Sequence, residues 1–222
     1  MKLSKNTIDL LKNFSQINPN ILVKPGQEIR TINSGKSAFA KAKITENFDR
    51  EFAIYDLNEL LAVLSLSDEP EISLNDKHMT ISVQNFGDIN FYYSEPELVA
   101  SPPEKDLPSA EGYFTHNLTN ESLQFWLRTA ATIAAPYVSI VGNGSQALVR
   151  ITDPELSNAT KFEAVIGQTD KTFVAHIPTQ NIKLIGQNYT VNIPSSGSFV
   201  HFKADNVEYW VALDKTSEFN NG

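Results

Sequence analysis

The stretch FAIYDLNELLAVLSL, residues 52–66, decides the fold of this chain because it changes from one regular structure to another. It begins as a short apolar run, turns at Tyr55 and Asp56, and continues with leucines at the spacing of a buried helix face. A second stretch, FVAHIPTQNIKLI at residues 173–185, repeats the order of apolar run, turn and amphipathic segment. The chain is therefore predicted to use one strand-to-helix step twice.

A proline-rich segment near the middle of the chain separates the two steps. Residues 94–108, SEPELVASPPEKDLP, contain four prolines among several acidic residues. Proline lacks a backbone N–H donor and fixes φ, so the segment favours an extended, solvated connector. We expect a first domain at residues 1–94, a connector at 95–111 and a second domain at 112–222.

The two predicted domains have the same order of elements. Each opens with a helix, capped by Ser4 in the first and by Thr119 in the second, and continues as strand, turn and strand. Each then has the strand-to-helix step, a hairpin-like pair and a final aromatic strand, INFYYS at 89–94 and VEYWVAL at 207–213. This order predicts an α+β fold of two similar domains, each with an antiparallel sheet and two helices.

The composition excludes several classes of protein. With 222 residues, of which 41% are hydrophobic and 20% charged, the chain is too apolar to be disordered as a whole. The absence of cysteine excludes disulfides, a thiol nucleophile and thiolate metal sites. No apolar run reaches the roughly 18 residues of a membrane span, and lysines interrupt the N-terminal stretch where a signal peptide needs its core. We expect a cytosolic protein.

The net charge of −8 is unevenly distributed along the chain. Residues 1–50 hold nine basic and four acidic residues, a net +5, and the remainder carries −13. Because the field near a surface follows the local charge, an acidic chain can still present one basic surface.

Three of the four predicted helices have exposed faces that are rich in amides and cations and hold hardly any acid. For any one helix a solvated surface explains such a face, but the agreement of three on an acidic chain favours contact with an anion. Cations without aromatic neighbours suit phosphate contact better than base readout or stacking on single strands. The three faces consist of Lys2, Lys5, Asp9, Lys12 and Gln16, of Asn120, Gln124 and Arg128, and of Gln180, Lys183 and Gln187.

The sequence offers no recognisable catalytic or metal site. Gly35, Lys36 and Ser37 resemble the end of a phosphate-binding loop, but the motif needs a glycine five positions before Gly35, where Arg30 stands. The four histidines lack the spacing of metal ligands, and His176 is expected to be a partnered residue of a buried strand. We therefore expect no cofactor, no metal and no catalysis.

Four segments of the chain closely resemble one known family. They are MKLSKNTIDLLKNFSQIN at 1–18, AIYDLNELLAVLSL at 53–66, EIS at 71–73 and YWVALD at 209–214. They resemble the sliding clamps of T-even-type bacteriophages, which are processivity factors of the phage DNA polymerase. The resemblance runs through the whole chain in order and is densest in the first predicted domain.

This resemblance implies a DNA-clamp fold in which three subunits close head-to-tail into a ring of six similar domains. The helices would line a hole around duplex DNA, and the sheets would form the outer wall. The implied partners are duplex DNA bound without sequence preference, the phage DNA polymerase, an ATP-driven clamp loader and phage late-transcription factors. The implied place of action is the cytoplasm of the infected bacterial host, with no cofactor and no membrane contact.

The resemblance also implies which basic residues contact DNA. On the third helix the family carries a second basic residue one turn after the first, and Ala131 occupies that place here, so the lining of the second domain is expected to be weakly charged. The implied contacts on the inner face are Lys2, Lys5, Lys12, Arg128 and Lys183.

Contacts with other proteins are implied at two further places. Phe91 and Tyr92 occupy the aromatic pair of the family's subunit interface, on a predicted edge strand. Neighbouring side chains on a strand face opposite ways, so one of the two rings should lie outside the core. The pocket for a partner's peptide would include Leu107, Pro108 and Leu213.

One alternative function remains open at this stage. A monomeric two-domain adaptor that binds proteins and not DNA would also have an acidic surface and a proline-rich segment. The two hypotheses differ in whether the removal of Lys5 and Lys12 affects retention on circular duplex DNA. A hydrolase with a hidden site would need clustered histidines and carboxylates that the sequence does not show.

Overall fold

The structure is a computed structural model that describes residues 1–83, 85–103 and 112–220. The chain divides into two compact units, Met1–Glu104 and Lys105–Gly222. No helix among the described residues is long and apolar enough to cross a membrane.

The first unit combines two helices with short antiparallel pairings. Strand β1 pairs with β4, β2 pairs with β3, and β5, β6 and β7 form a three-stranded sheet with β6 in the middle. In chain order the elements are α1 (Lys5–Ile17), β1 (Ile21–Val23), β2 (Gly26–Ile32), β3 (Ala38–Phe48), β4 (Phe52–Ile54), α2 (Leu57–Leu64), β5 (Glu71–Leu74), β6 (His78–Val83), β7 (Gly87–Tyr92) and a 3₁₀ turn (Pro96–Leu98).

Helix α1 forms where the sequence predicts it. The Ser4 hydroxyl accepts a hydrogen bond from the backbone N–H of Thr7 at 3.2 Å, which is the bond expected of an N-cap serine. Leu10, Leu11 and Phe14 are buried on one face, and the helix packs against β3 and α2. Its opposite face is left to solvent.

The strand-to-helix step at residues 52–66 is confirmed. All three residues of β4 are buried, and the Asp56 carboxylate then accepts from the backbone N–H groups of Asn58 and Glu59 at 3.0 and 3.1 Å. The side chain of Asp56 thereby satisfies two donors that have no partner inside helix α2. The change of structure follows from this single capping residue after an apolar strand.

In its described residues, 112–220, the second unit has one α-helix and two antiparallel sheets. The strand order is β11-β10-β9-β12-β16 in one sheet, and β8, β13, β14 and β15 are successive neighbours in the other. In chain order the elements are β8 (Phe114–Leu118), α3 (Asn120–Thr132), β9 (Tyr137–Asn143), β10 (Gln146–Thr152), β11 (Phe162–Gln168), β12 (Thr172–Pro178), a 3₁₀ turn (Thr179–Asn181), β13 (Tyr189–Ile193), β14 (Phe199–Lys203), β15 (Val207–Ala212) and β16 (Glu218–Phe219).

The second strand-to-helix step differs from the prediction, because the fourth helix is only the 3₁₀ turn Thr179–Asn181. After it Ile182 and Leu184 are buried and Lys183 between them is exposed, an alternation typical of extended backbone. The backbone N–H of Ile185 donates to the Tyr209 hydroxyl at 3.3 Å, and its carbonyl accepts from the Tyr189 hydroxyl at 2.6 Å. Side chains of β13 and β15 therefore replace the hydrogen bonds that a helix would supply.

Candidate nucleic-acid interface

The exposed face of α1 carries two lysines. Lys5 and Lys12 are both exposed, on the side away from the buried residues of the helix. Lys5 makes no ion pair with any residue that the structure describes, and Lys12 lies 3.9 Å from the Asp9 carboxylate. An exposed pair at that distance contributes little energy, so both ammonium groups remain suited to contact with an external anion.

Lys2 lies elsewhere, and its predicted place on the polar face of α1 is wrong because the helix begins only at Lys5. Lys2 forms an isolated β-bridge with Glu71. Its Nζ lies 2.8 Å from Glu69 Oε2 and 3.8 Å from Glu71 Oε1. The hydrogen bond and charge of Glu69 raise the pKa of Lys2 above its ordinary value. Two carboxylates thus balance the charge of this lysine.

The start of α1 rests on a buried carboxylate that the sequence pattern does not reveal. Glu46 on β3 is 8% exposed and accepts hydrogen bonds from the backbone N–H of Ser4 and the hydroxyl of Thr7. Burial disfavours the charged form, but these hydrogen bonds outweigh it and hold the pKa of Glu46 below its usual value. In a capping box a glutamate three residues after the cap would bond the N–H of the capping serine, and Thr7 stands at that position here. Glu46 takes this role from a distant strand.

The exposed face of α3 is more neutral than that of α1. Leu123, Trp126 and Ala130 are buried against β9 and β10. Arg128 is exposed and has no ion pair among the described residues. The residue one turn later is Thr132, so no second cation follows on this face. Its hydroxyl donates to the carbonyl of Arg128 at 2.8 Å.

Lys183 is also exposed, but it does not lie on a helix. It follows the 3₁₀ turn in the irregular segment between β12 and β13, so the helical face predicted for Gln180, Lys183 and Gln187 does not form. Of the predicted cations, the structure places only Lys5 and Lys12 together on one helix face.

The aromatic pair lies on an edge strand, as predicted. Within the described part of the chain β7 pairs only with β6. The Tyr92 ring is 69% exposed and lies 5.4 Å from the His78 ring, whereas Phe91 is half-buried. The expectation that one of the two rings lies outside the core is confirmed for Tyr92. Phe86, in the turn before β7, is 89% exposed and extends the apolar edge.

The predicted peptide pocket is only partly within the described residues, because Leu107 and Pro108 lie outside them. Leu213 follows β15, is half-buried, and its backbone N–H donates to the Ser198 carbonyl at 3.2 Å. The first unit contains a cavity of about 260 Å³ that the sequence does not predict. It is lined by Leu22, Lys24, Pro25, Glu28, Arg30, Ser101 and Pro102.

The histidine singled out in the sequence has a structural partner. His176 is half-buried on β12, its Nδ1 lies 2.8 Å from the Ser139 hydroxyl, and burial lowers its pKa. Ser139 is 1% exposed, so its hydroxyl serves as a buried partner of the His176 ring. Across residues 1–83, 85–103 and 112–220, no three histidine or acidic side chains are grouped in a way that could hold a metal ion.

Sequence comparison links the chain to proteins of phage replication. The family described as DNA polymerase processivity factor matches residues 2–94. A sliding clamp of Vibrio phage KVP40 is 31% identical over 220 residues, covering 96% of this chain and 99% of the relative. A sliding clamp of Enterobacteria phage T4 is 30% identical over 230 residues, covering 99% and 100%.

Solved structures share the fold at much lower identity. The chain is similar to a structure described as the C-terminal region of FEN-1 bound to A. fulgidus PCNA, with a TM-score of 0.72, 13% identity and coverage of 98% and 100% of the two chains. It is also similar to a PCNA2-PCNA3 complex from Sulfolobus tokodaii, with a TM-score of 0.70, 11% identity and coverage of 96% and 99%. At these identities the similarity establishes the fold alone.

Proposed function

The chain belongs to the sliding clamp family of DNA polymerase processivity factors, and we propose that it encircles duplex DNA and tethers the replicative polymerase. The observation that carries this proposal is the exposed face of α1. Two lysines lie there, opposite a buried apolar face, on a chain whose net charge is −8. Such a face suits the phosphates of DNA without reading its sequence.

In this proposal the protein binds DNA weakly and makes no covalent bonds. A closed ring stays on DNA because of its topology, so the contacts inside it need only be sequence-independent and sensitive to salt. Lys5 and Lys12 are the principal contacts, followed by Arg128 and Lys183. Lys2 contributes least, because Glu69 and Glu71 already balance its charge.

Tethering accounts for processivity without any catalytic group. A polymerase bound to the ring rebinds its template intramolecularly after each dissociation, which raises its effective concentration. The protein is therefore non-catalytic in this proposal and uses no cofactor. An ATP-driven clamp loader opens the ring, and phage late-transcription factors are further partners in the cytoplasm of the infected bacterial host.

The ring is proposed to be a homotrimer joined head-to-tail. Such a joint needs two different complementary surfaces on each subunit. One is β7 with Phe91 and Tyr92, an edge strand that would risk aggregation if it stayed unpaired. The second is β11, which pairs only with β10 in the described residues. Its Val165 side chain is 55% exposed.

Partner peptides are proposed to bind beside the connector between residues 95 and 111. Leu213 is the described member of this pocket, and Leu107 and Pro108 complete it in the proposal. Ser101 and Pro102 of this connector also line the cavity of the first unit. We propose that this cavity is a second place for an apolar side chain of a partner.

The double variant Lys5→Ala/Lys12→Ala tests the DNA-binding function. We expect weaker binding to a short duplex, and a plot of log affinity against log salt whose slope falls by about 0.9 for each lysine that contacts a phosphate. The measurement is equilibrium binding across a salt series, together with retention on circular duplex DNA. The control variant is Lys43→Ala/Lys77→Ala, which removes two other exposed lysines of the first unit.

Unchanged binding and retention in Lys5→Ala/Lys12→Ala would contradict the proposal. That result would favour the monomeric adaptor, for which the lysines are only solvated surface.

A further inference from the structure

On the second unit, three amide side chains lie together at the start of α3. We propose that this amide patch, Asn120, Gln124 and Asn188, binds phosphate oxygens of duplex DNA through neutral N–H donors. The inference rests on the proposed function, in which the exposed faces of α1 and α3 meet DNA. It assigns a binding role to residues that carry no charge.

Hydrogen bonds within the patch fix how its amides are oriented. Asn188 Oδ1 accepts from the backbone N–H of Asn120 at 2.8 Å, and because a backbone N–H can only donate, the oxygen of Asn188 must be the inward atom. Gln124 Nε2 donates to Asn120 Oδ1 at 3.5 Å, a longer and weaker bond. The acceptor atoms of both asparagines are thus engaged inside the patch.

Glycine at position 186 allows the loop before β13 to lie against these amides. A Cβ placed there would come within 3.1 Å of Asn120 Oδ1 and 3.6 Å of Gln124 Nε2. A side chain at this position would require the amide of Asn120 to shift by a few tenths of an ångström, whereas its distance to Gln124 is ordinary van der Waals contact. Gly186 therefore leaves room for the amide of Asn120.

The terminal amide nitrogens of the two asparagines remain as donors on the outside. Asn120 and Asn188 are exposed, and each terminal amide nitrogen carries two N–H bonds. Side-chain amides are among the groups that contact DNA phosphates, which offer only acceptor oxygens. Arg128 lies two turns further on the same face. The acid of this helix, Glu121, is next to Asn120 in the chain and, seven residues before Arg128, lies on the same side of the helix as that cation.

Neutral donors and lysines differ in a measurable way. A lysine that neutralises a phosphate releases a counterion, and this release makes its contribution depend on salt. A neutral amide releases none, so its contribution should be similar at every salt concentration. The first unit would then supply the salt-dependent part of DNA binding, and the amide patch a salt-independent part.

The test is equilibrium binding of the full-length protein to a short blunt-ended duplex, measured across a salt series. Asn120→Ala/Gln124→Ala is expected to bind roughly 5-fold more weakly at each salt concentration. The slope of log affinity against log salt concentration should equal that of the unaltered protein. Alanine is compatible with the helix, and Thr119 remains its cap. A thermal melt checks that the variant is folded. Gln146→Ala, which removes an exposed amide at the start of β10, is the control and should bind normally.

The possible results separate the inference from the function on which it rests. One result would overturn the inference and leave the proposed function in place. It is normal DNA binding by Asn120→Ala/Gln124→Ala together with a lower slope of log affinity against log salt in Lys5→Ala/Lys12→Ala. A lower slope in the amide variant would also overturn it, because the contact would then be ionic. If the unaltered protein did not bind duplex DNA at any salt, the proposed function would fail and the inference with it.

Discussion

Glu46 shows how one buried residue controls the position of a functional surface. It is a carboxylate of β3 that bonds the backbone N–H of Ser4 and the hydroxyl of Thr7, directly beside Lys5. The Thr45 hydroxyl donates a further bond to it at 3.1 Å. Hydrogen bonds to a charged group are stronger than neutral ones, so Glu46 holds the first turn of α1 against the strand beneath it.

Replacing this carboxylate should change how stability depends on pH. The pKa of Glu46 is lowered in the folded protein, so its stabilisation is complete above the ordinary glutamate pKa and is lost as pH falls through the lowered value. We expect Glu46→Gln to be less stable than the unaltered protein at pH 7 by about 1.5 kcal/mol, with the difference shrinking in acid. Urea unfolding of both proteins between pH 7 and strongly acidic pH measures this. A difference that stayed constant with pH would contradict the role assigned to the charge.

Among the elements, the segment between β12 and β13 shows most clearly how tertiary contacts override a local pattern. It begins like a helix but has the alternating burial of Ile182, Lys183 and Leu184. The hydroxyls of Tyr189 and Tyr209 bond the carbonyl and the N–H of Ile185. Burial raises the pKa of both tyrosines further above neutral pH. With both hydroxyls protonated, Tyr189 donates to the carbonyl of Ile185 and Tyr209 accepts from its N–H.

Removing the Tyr209 hydroxyl should loosen this segment specifically. Tyr209→Phe leaves the N–H of Ile185 without its acceptor, and we expect a cost of about 1 kcal/mol in the free energy of unfolding. Amide hydrogen exchange should be faster at Ile185. The matched control is Tyr113→Phe, because Tyr113 makes only a 3.4 Å bond near the chain end. Unaltered exchange at Ile185 would show that the hydroxyl does not hold the segment.

For the whole molecule, the exposed edge strands matter more than any single contact. Both β7 and β11 pair on one side only among the described residues, and both carry exposed apolar side chains. Unpaired strand edges tend to associate, so a protein with such apolar edges has a physical reason to form closed assemblies.

The native mass of the protein tests the proposed ring directly. We expect a species near three times 24.7 kDa that dissociates on dilution. Tyr92→Asp should shift the mass towards the monomer, because a buried unpaired charge would destabilise the joint. Tyr55→Asp replaces a similarly exposed tyrosine of the same unit and should leave the mass unchanged. A trimer that withstands Tyr92→Asp would exclude β7 as the joint.

The sequence by itself determined the features that depend on near neighbours along the chain. The cap at Ser4, the helix α1 and the step from β4 to α2 follow from spacing and from single capping side chains. The uneven charge and the exposed face of Lys5 and Lys12 follow from the same periodicity. Family membership was also visible in the sequence, because the matching segments are long.

Only the tertiary structure decided features that join distant residues. It paired Lys2 with Glu69, placed Glu46 beneath Ser4, and brought Asn188 to the start of α3. It also replaced the predicted fourth helix with a segment held by two tyrosine hydroxyls. Apart from Tyr189 and Ile185, which are four residues apart, these contacts join residues that chain order leaves far apart. Where they are buried the physical reason is that a polar group removed from water needs a partner wherever the fold can supply one.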